Sequence, residues 1–298
     1  MRLLFLLVAV GSVSCFVVPN QASISKRLPP LSASISATPT GGVIITNQQL
    51  QDLARNDYVV IPNFLSKDLQ ESLRQDVKSL RDEGHFSVAK IGQDSTNTLN
   101  QQIRQASTCF IGGATRENLP SNAARSNMIS VLEQVCQQLS DNASLLASPR
   151  LDNNLSELLY AYYPTGGFYR RHRDAISGSA SVLRTFSLLL YLNQDWTPED
   201  AGNLRMHMDS GGDELPAGEE PNFLDVAPEG GTLVLFDSAK IPHEVLDTNS
   251  ERLAIVGWYN RELAVSDIAE LGGADPIRMA MLAVAAGLVT VGLVNILS

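Results

Sequence analysis

SELLYAYYP, at residues 156–164, is the first of five short β-rich runs that decide the fold. The other four are VLRTFSLLLYLN (182–193), NLRMHM (203–208), TLVLFDS (232–238) and RLAIVGWYN (252–260). Each run is rich in branched, aromatic or leucine side chains and is bounded by turn-forming residues, which is typical of strands. Closely spaced short strands favour an antiparallel barrel or sandwich.

The sequence before these strands predicts one further strand and two supporting helices. YVVIPNFL (58–65) reads as a strand that ends where Ser66 can cap a helix. The first helix would bury Leu69, Leu73, Val77 and Leu80, and the second Met128, Val131, Val135 and Leu139. We therefore predict one mainly β domain with supporting helices over residues 45–264.

Composition limits the class of partner. The chain of 298 residues is 44% hydrophobic and 18% charged, which is ordinary for a globular protein. Its net charge of -10 argues against a nucleic-acid partner, because phosphate binding needs a basic face. Cys15, Cys109 and Cys136 show no CxxC or zinc spacing, so Cys109 and Cys136 are expected to be buried free thiols. The oligomeric state is not determined by the sequence.

The amino-terminal end differs from this domain. Residues 1–15, MRLLFLLVAVGSVSC, combine one arginine, a short apolar run and small terminal residues, which is the pattern of a signal peptide. Residues 16–44 contain no acid and are rich in Ser, Ala and Pro, as in a transit peptide or a disordered linker. Two destinations are compatible with these residues: the plastid, by way of a two-part leader, and the secretory pathway.

The carboxyl-terminal end also differs, and it is strongly apolar. After a linker at 265–277, the run MAMLAVAAGLVTVGLVNIL within residues 278–298 has no charge. At roughly 1.5 Å per residue it is just long enough to cross a hydrocarbon core of about 30 Å. We predict a membrane anchor; the alternative is a buried helix, although the run lacks the polar stripe of such a helix.

A candidate metal site emerges from two separated motifs. His172 and Asp174 are two apart in RRHRD, so on an extended segment both side chains point to the same face. His243 follows in KIPHEV, directly after a predicted strand. Two imidazoles and one carboxylate form the facial triad that holds non-haem iron and leaves positions open for substrate and oxygen. An isolated HxD is a weak signal, so this interpretation depends on its companions.

Arg252 and Tyr191 are the companions that point to a cosubstrate. Arg252 begins an apolar strand, and a guanidinium that faces the interior is costly unless a carboxylate meets it. Its planar fork suits a bidentate bond to a carboxylate end group such as that of 2-oxoglutarate. Tyr191, in LLLYLN, can add a hydroxyl donor to the same group.

The ordered motifs resemble a known family. The sequence is similar to the prolyl-hydroxylase group of 2-oxoglutarate oxygenases, especially its oxygen-sensing type, from about Asp57 to Glu262. The segments that carry this likeness are YYPTGGFYRRHRD (162–174), TFSLLLYLNQDW (185–196), NLRMH (203–207), LVLFDSAKIPHEV (233–245) and ERLAIVGWYNR (251–261).

The resemblance implies a double-stranded β-helix, or jelly-roll, that uses Fe(II), 2-oxoglutarate and O2, with L-ascorbate as a further cofactor. The implied metal ligands, which are also the catalytic residues, are His172, Asp174 and His243. The implied cofactor-binding residues are Arg252, Tyr191, Tyr163 and Trp258, and Arg104 matches a position near the pocket entrance. The implied reaction hydroxylates a protein or peptide at proline and releases succinate and carbon dioxide.

The substrate is less constrained than the iron site. Val256 stands where the oxygen-sensing type has a small hydroxyl residue, and the loop after Met208 is longer and more acidic. A hydroxylase of small molecules or of other side chains is therefore an alternative, because the fold does not set the substrate. A non-catalytic, membrane-tethered binding module is the alternative of another class. Asp174 argues against a halogenase, in which a small residue takes that position.

Overall fold

The structure, a computed structural model, describes residues 44–90, 100–208, 222–264 and Asp267. Outside these ranges lie the predicted signal peptide, most of the linker that follows it, the acidic stretch 209–221 and the predicted anchor. Among the described residues, no helix has the length and apolar character needed to cross a bilayer. The anchor and the leader therefore stay predictions.

The described elements run along the chain as follows. The α-helices are α1 (Asn47–Asn56), α2 (Lys67–Asp82), α3 (Ala123–Asp141) and α4 (Ala143–Leu146). The strands are β1 (Tyr58–Ile61), β2 (Ser87–Val88), β3 (Arg104–Gln105), β4 (Ser107–Phe110), β5 (Leu158–Tyr163), β6 (Phe168–His172), β7 (Arg184–Tyr191), β8 (Leu204–His207), β9 (Phe223–Val226), β10 (Leu233–Asp237), β11 (His243–Val245) and β12 (Arg252–Asn260). Short 3-10 helices cover Gly113–Asn118, Ala180–Leu183 and Pro198–Asp200.

The strands form two sheets in which every pair is antiparallel. The large sheet has seven strands in the order β1-β10-β7-β12-β5-β4-β2, and the small sheet has five in the order β3-β6-β11-β8-β9. The prediction of a mainly β jelly-roll with supporting helices is confirmed.

The two faces of the large sheet have different partners. Ile255 and Leu190 belong to a buried cluster that includes the apolar faces of the helices. Ala254, Tyr191 and Phe236 point to the other face and belong to a second cluster with strands of the small sheet. Side chains alternate between faces along a strand, so one apolar run supplies both layers. The candidate site lies on the second face.

The two predicted helices are confirmed, and each has a side-chain cap. Ser66 Oγ accepts from the backbone N–H of Leu69 at 3.4 Å before α2, and Asn122 Oδ1 accepts from that of Arg125 at 2.9 Å before α3. These caps satisfy donors that a helix start leaves unpaired. Helix α1 was not predicted, although it opens with a capping box at Thr46.

The cysteines also behave as predicted. Cys109 and Cys136 are free and buried. Burial raises the pKa of Cys109 to about 11 and that of Cys136 to about 12. Both thiols are therefore protonated and unreactive at neutral pH, because the thiolate is the nucleophilic form.

A buried charged cluster joins the helices to the sheet. Arg125 of α3 donates through Nε and Nη2 to both carboxylate oxygens of Asp76 in α2, at 2.8 and 2.7 Å. Tyr160 of β5 donates its hydroxyl to Asp76 Oδ2 at 2.8 Å. Asp76 and Arg125 are each 4% exposed. The cluster therefore ties α2, α3 and β5 together behind the site.

Arg125→Leu should destabilise the fold by about 3–5 kcal/mol in urea unfolding, because it leaves the Asp76 carboxylate buried without its cation. The double replacement Asp76→Leu with Arg125→Leu should be less destabilised than Arg125→Leu alone. Lys78→Ala, which breaks an exposed ion pair with Asp82 on the same helix, is the control and should change stability little. Equal effects of Arg125→Leu and Lys78→Ala would contradict the role of the cluster.

Candidate metal and cosubstrate site

The small sheet brings the three predicted metal ligands together. His172 ends β6 and His243 begins β11, and the two residues are direct partners in the antiparallel register. Asp174 follows two residues after β6. The ligand atoms of the three side chains all lie within 4.8 Å of one another. The Nε2 atoms of His172 and His243 lie 3.5 and 3.4 Å from the Asp174 carboxylate oxygens.

Backbone carbonyl groups orient both imidazoles. His172 Nδ1 lies 2.8 Å from the carbonyl oxygen of Arg170, and His243 Nδ1 lies 3.1 Å from that of Ile241. Because a carbonyl oxygen only accepts, each Nδ1 carries the proton and each Nε2 presents a lone pair. This arrangement of a second hydrogen bond behind the ligand is typical of metal-binding histidines.

The charge state of the cluster also suits a cation. Burial lowers the pKa of His243 to about 4, against the attraction of Asp174, so its imidazole is neutral at neutral pH. Burial works to raise the pKa of Asp174, but His243, His172 and Arg184 outweigh it and hold this pKa below its usual value. Two imidazole nitrogens and one carboxylate are the donor set of a non-haem Fe(II) facial triad.

A second group of buried polar atoms lies on the large sheet. Arg252 has no solvent exposure, and its Nε donates to the carbonyl oxygen of Gly202 at 2.9 Å. Its Nη1 and Nη2, and the hydroxyl of Tyr191, have no hydrogen-bond partner among the described residues. Burial raises the pKa of Tyr191 to about 12, so its hydroxyl keeps its proton and can donate. These unpaired donors fit a carboxylate, which 2-oxoglutarate provides.

Strand register explains why these side chains meet. Arg252 of β12 is the direct partner of Tyr163 in β5, and Ala254 is the partner of Tyr191 in β7. Residues two apart on β12 share a face, so both tyrosines lie beside the guanidinium. The Arg252 Cζ atom lies 5.1 Å from each tyrosine ring centroid. The predicted set of Arg252, Tyr191 and Tyr163 is therefore one contiguous group.

Gly202 is a residue that sequence reasoning missed. Its φ is +65°, and a Cβ there would meet Thr248 at 2.8 Å. Only glycine fits both the left-handed backbone and the close approach, so Gly202 places the carbonyl that orients Arg252. A glycine after Ala201 is typical of a turn. The sequence does not show that Gly202 lies beside Arg252, fifty positions later.

Trp258 lies on the same face as Arg252, six residues further along β12, and one face of its ring is covered. The Arg184 guanidinium lies 3.6 Å from the Trp258 ring centroid. Arg184 also donates to both Glu157 carboxylate oxygens, at 3.1 and 2.6 Å, and to the carbonyl oxygen of Asp174 at 3.2 Å. Sequence reasoning missed Arg184 as well. It links Trp258 to the loop that carries Asp174.

One further histidine and one further arginine have clear positions. His207 pairs with Glu244, Nε2 to Oε1 at 3.1 Å, and is not part of the metal-ligating cluster. Arg104 lies beside Tyr169, with its Cζ 4.5 Å from the ring centroid, and Tyr169 stacks on His172 at 3.7 Å. The Tyr169 ring therefore lies between Arg104 and the candidate metal ligand His172. A groove of about 710 Å³ between α2 and the segment after β7 contains none of the candidate site residues.

Comparison with known proteins gives a consistent set of relatives. Residues 158–260 match the 2OG-Fe(II) oxygenase superfamily. Human Egl nine homolog 1 is 23% identical over 201 residues, which cover 67% of this chain and 43% of that protein. The chain thus spans less than half the length of this curated relative.

Two solved structures are also similar. A prolyl-4-hydroxylase from Pseudomonas putida is 29% identical with a TM-score of 0.55, covering 72% of this chain and 97% of its own. A prolyl hydroxylase from Trichoplax adhaerens, solved with a peptide fragment of the hypoxia inducible factor oxygen degradation domain, is 26% identical with a TM-score of 0.59, covering 72% and 89%.

The geometry of the cluster and the buried arginine fits the class of oxygenases that hold one non-haem iron beside a carboxylate-bearing cosubstrate. The segment that matches the family model, residues 158–260, contains both the cluster and the arginine. Residues 158–260 therefore carry the match to the 2OG-Fe(II) oxygenase superfamily, and the cluster and the buried arginine fit Fe(II) as cofactor with 2-oxoglutarate and O2 as cosubstrates.

Tyr191→Phe should raise the Kd for 2-oxoglutarate about tenfold to a hundredfold, because it removes one hydrogen bond to a charged group, worth about 1.5–3 kcal/mol. Arg252→Lys should raise it further, since a lysine cannot reproduce the bidentate fork. Fe(II) affinity without cosubstrate should stay unchanged in both variants. Calorimetric titration measures both affinities.

The matched control is Tyr162→Phe. Tyr162 precedes Tyr163 in β5 and points to the opposite face of the sheet, where its hydroxyl donates to Glu251. Tyr162→Phe should leave 2-oxoglutarate affinity unchanged. An equal loss in Tyr162→Phe and Tyr191→Phe, or no loss in either, would show that the Tyr191 hydroxyl does not bind the cosubstrate.

Proposed function

We propose that the protein is a hydroxylase of proline in a protein or peptide, which couples substrate oxidation to conversion of 2-oxoglutarate into succinate and carbon dioxide. The observation that carries the cosubstrate part is the unpaired Arg252 guanidinium, buried beside the equally unpaired Tyr191 hydroxyl. The substrate part is supported by the two similar solved structures, both of which are prolyl hydroxylases.

Each group of residues has a separate task. Arg252 and Tyr191 bind the far carboxylate of 2-oxoglutarate through charge-assisted hydrogen bonds. His172, Asp174 and His243 hold Fe(II), which when bound supplies the oxygen chemistry that hydroxylates an unactivated C–H bond. The burial of Asp174 and His243, at 8% and 4% exposure, keeps bulk water away from these two ligands. We assign no protein general base.

L-ascorbate is proposed as an additional reductant that keeps the metal in the Fe(II) state. It belongs in the assay mixture, and its omission should reduce the number of turnovers rather than abolish the first one.

The purified full chain, with Fe(II), ascorbate and 2-oxoglutarate, should release succinate faster when a proline-rich peptide is added. Mass spectrometry should find one added oxygen atom on proline, and none on a matched peptide with alanine at that position. Asp174→Ala should lose peptide-dependent turnover, because the triad loses its only carboxylate.

Other outcomes would select the other functions. Turnover that no peptide stimulates would contradict proline hydroxylation and favour a small-molecule substrate. Absence of both turnover and iron binding in the wild-type chain would favour a binding module.

We also propose that residues 1–44 direct the protein to a plastid or the secretory pathway and that residues 278–298 anchor it in a membrane. The support is the acid-free, hydroxyl-rich leader and the uncharged run from Met279 to Leu297. A fluorescent reporter fused to residues 1–44 should leave the cytosol, and one fused to 265–298 should sediment with membranes and resist carbonate extraction. A cytosolic, carbonate-soluble reporter in either case would contradict that half of the proposal.

A further inference from the structure

We infer that Ser187 and Ser238 are positioning residues that hold Asp174 in place for metal binding through a directed chain of two hydrogen bonds. This inference rests on the metal-dependent function proposed above. It adds two residues that lie outside the metal-ligating cluster and that carry no charge. We call this chain of hydroxyl groups the serine relay.

The serine relay is defined by two short contacts in the interior. Ser187 Oγ lies 2.7 Å from Asp174 Oδ2 and 2.8 Å from Ser238 Oγ. Neither serine has any solvent exposure, and Asp174 is 8% exposed. A buried hydroxyl must find its partners inside the protein, so these contacts replace the water that would otherwise bind the carboxylate.

The direction of the serine relay follows from counting protons. An ionised carboxylate only accepts hydrogen bonds, so the single hydroxyl proton of Ser187 is directed to Asp174. The Ser187 oxygen must then accept the proton of Ser238 in the second contact. Ser238 therefore donates to Ser187, and Ser187 donates to Asp174. Each donor strengthens the next, because a polarised hydroxyl is a better donor.

Backbone hydrogen bonds fix the far end of the serine relay. The Ser238 N–H donates to the carbonyl oxygen of Thr185 at 3.0 Å, and the Ser238 carbonyl oxygen accepts from the N–H of Ala175 at 3.0 Å. Ser238 is thereby attached both to β7 and to the residue that follows Asp174. Its hydroxyl group starts from a fixed position.

The consequence of this arrangement is a link between the two sheets at one carboxylate. Asp174 follows β6 of the small sheet, whereas Ser187 is in β7 of the large sheet and pairs with Phe236. A carboxylate attached only at its Cα could rotate about two bonds. With Oδ2 held by Ser187, its plane is fixed relative to the imidazoles of His172 and His243. Groups that orient a metal ligand typically contribute ten- to hundredfold in metal affinity.

Ser187→Ala in the full chain should weaken Fe(II) binding about tenfold to a hundredfold, measured by anaerobic calorimetric titration without cosubstrate. It should also change the ligand-field absorption of bound Co(II), which reports carboxylate geometry. Ser238→Ala should weaken Fe(II) binding by only about threefold, because Ser187 can still donate to Asp174. The double variant should bind Fe(II) no more weakly than Ser187→Ala, since Ser238 acts only through Ser187.

Two further variants separate positioning from structural damage. Ser187→Cys keeps the side-chain size with a weaker donor, so intermediate Fe(II) affinity is expected even if Ser187→Ala folds poorly. Cys136→Ala, a buried substitution in α3, should lower stability while Fe(II) affinity and the Co(II) spectrum stay as in the wild type.

Wild-type Fe(II) affinity in Ser187→Ala and Ser187→Cys would overturn the inference. The inference would also be overturned if the double variant lost Fe(II) affinity by the product of the two single fold-losses, because Ser238 would then act independently of Ser187. A wild-type chain that binds no Fe(II) would overturn both the serine relay and the proposed function. Wild-type binding with the expected losses, but without proline hydroxylation, would support the serine relay and contradict only the proposed substrate.

Discussion

The hydrogen-bond register that β12 shares with β5 and β7 determines which side chains meet at the candidate site. It places Arg252 opposite Tyr163 and two positions from the partner of Tyr191, on the face that meets the small sheet. A slip by one residue would turn Arg252 toward the helices and Leu253 toward the site, because side chains alternate along a strand. The buried apolar clusters on both faces resist such a slip, so core packing and site geometry are one constraint.

The fold deals with buried charge in two different ways. Asp76 and Arg125 satisfy each other almost completely, with Tyr160 as a third partner, and this cluster joins helices to the sheet. Arg252 is equally buried, yet only its Nε has a partner among the described residues. Full pairing is what a structural cluster needs. Incomplete pairing at a buried cation is a feature of binding sites, where a ligand completes the set.

The sequence was sufficient to predict site residues that have a regular spacing or that stand as an unusual residue in an apolar run. His172 and Asp174 show a two-residue period, and Arg252 stands out at the start of a strand. Helix α3 was visible because its buried residues repeat at helical spacing.

Contacts between distant segments were not visible in the sequence. Ser187 lies inside TFSLLLYLN, where a small hydroxyl residue looks ordinary, and its contact with Ser238 spans fifty-one positions. Arg184 and Glu157 meet across twenty-seven positions, and Gly202 depends on the sign of its φ. Each needs knowledge of which strands are neighbours and in what register. The local sequence pattern does not show which strands are neighbours or in what register they pair. That pairing is a property of the tertiary structure.

The unpaired Nη1 and Nη2 atoms of Arg252 would make the stability of the folded chain depend on the concentration of the cosubstrate. A ligand that binds only the native state stabilises it in proportion to the logarithm of its concentration over its Kd. The proposed ligand, 2-oxoglutarate, is a dicarboxylate that would complete the hydrogen bonding of the buried Arg252 guanidinium. On the proposed function, resistance to unfolding and proteolysis would therefore rise and fall with the concentration of 2-oxoglutarate.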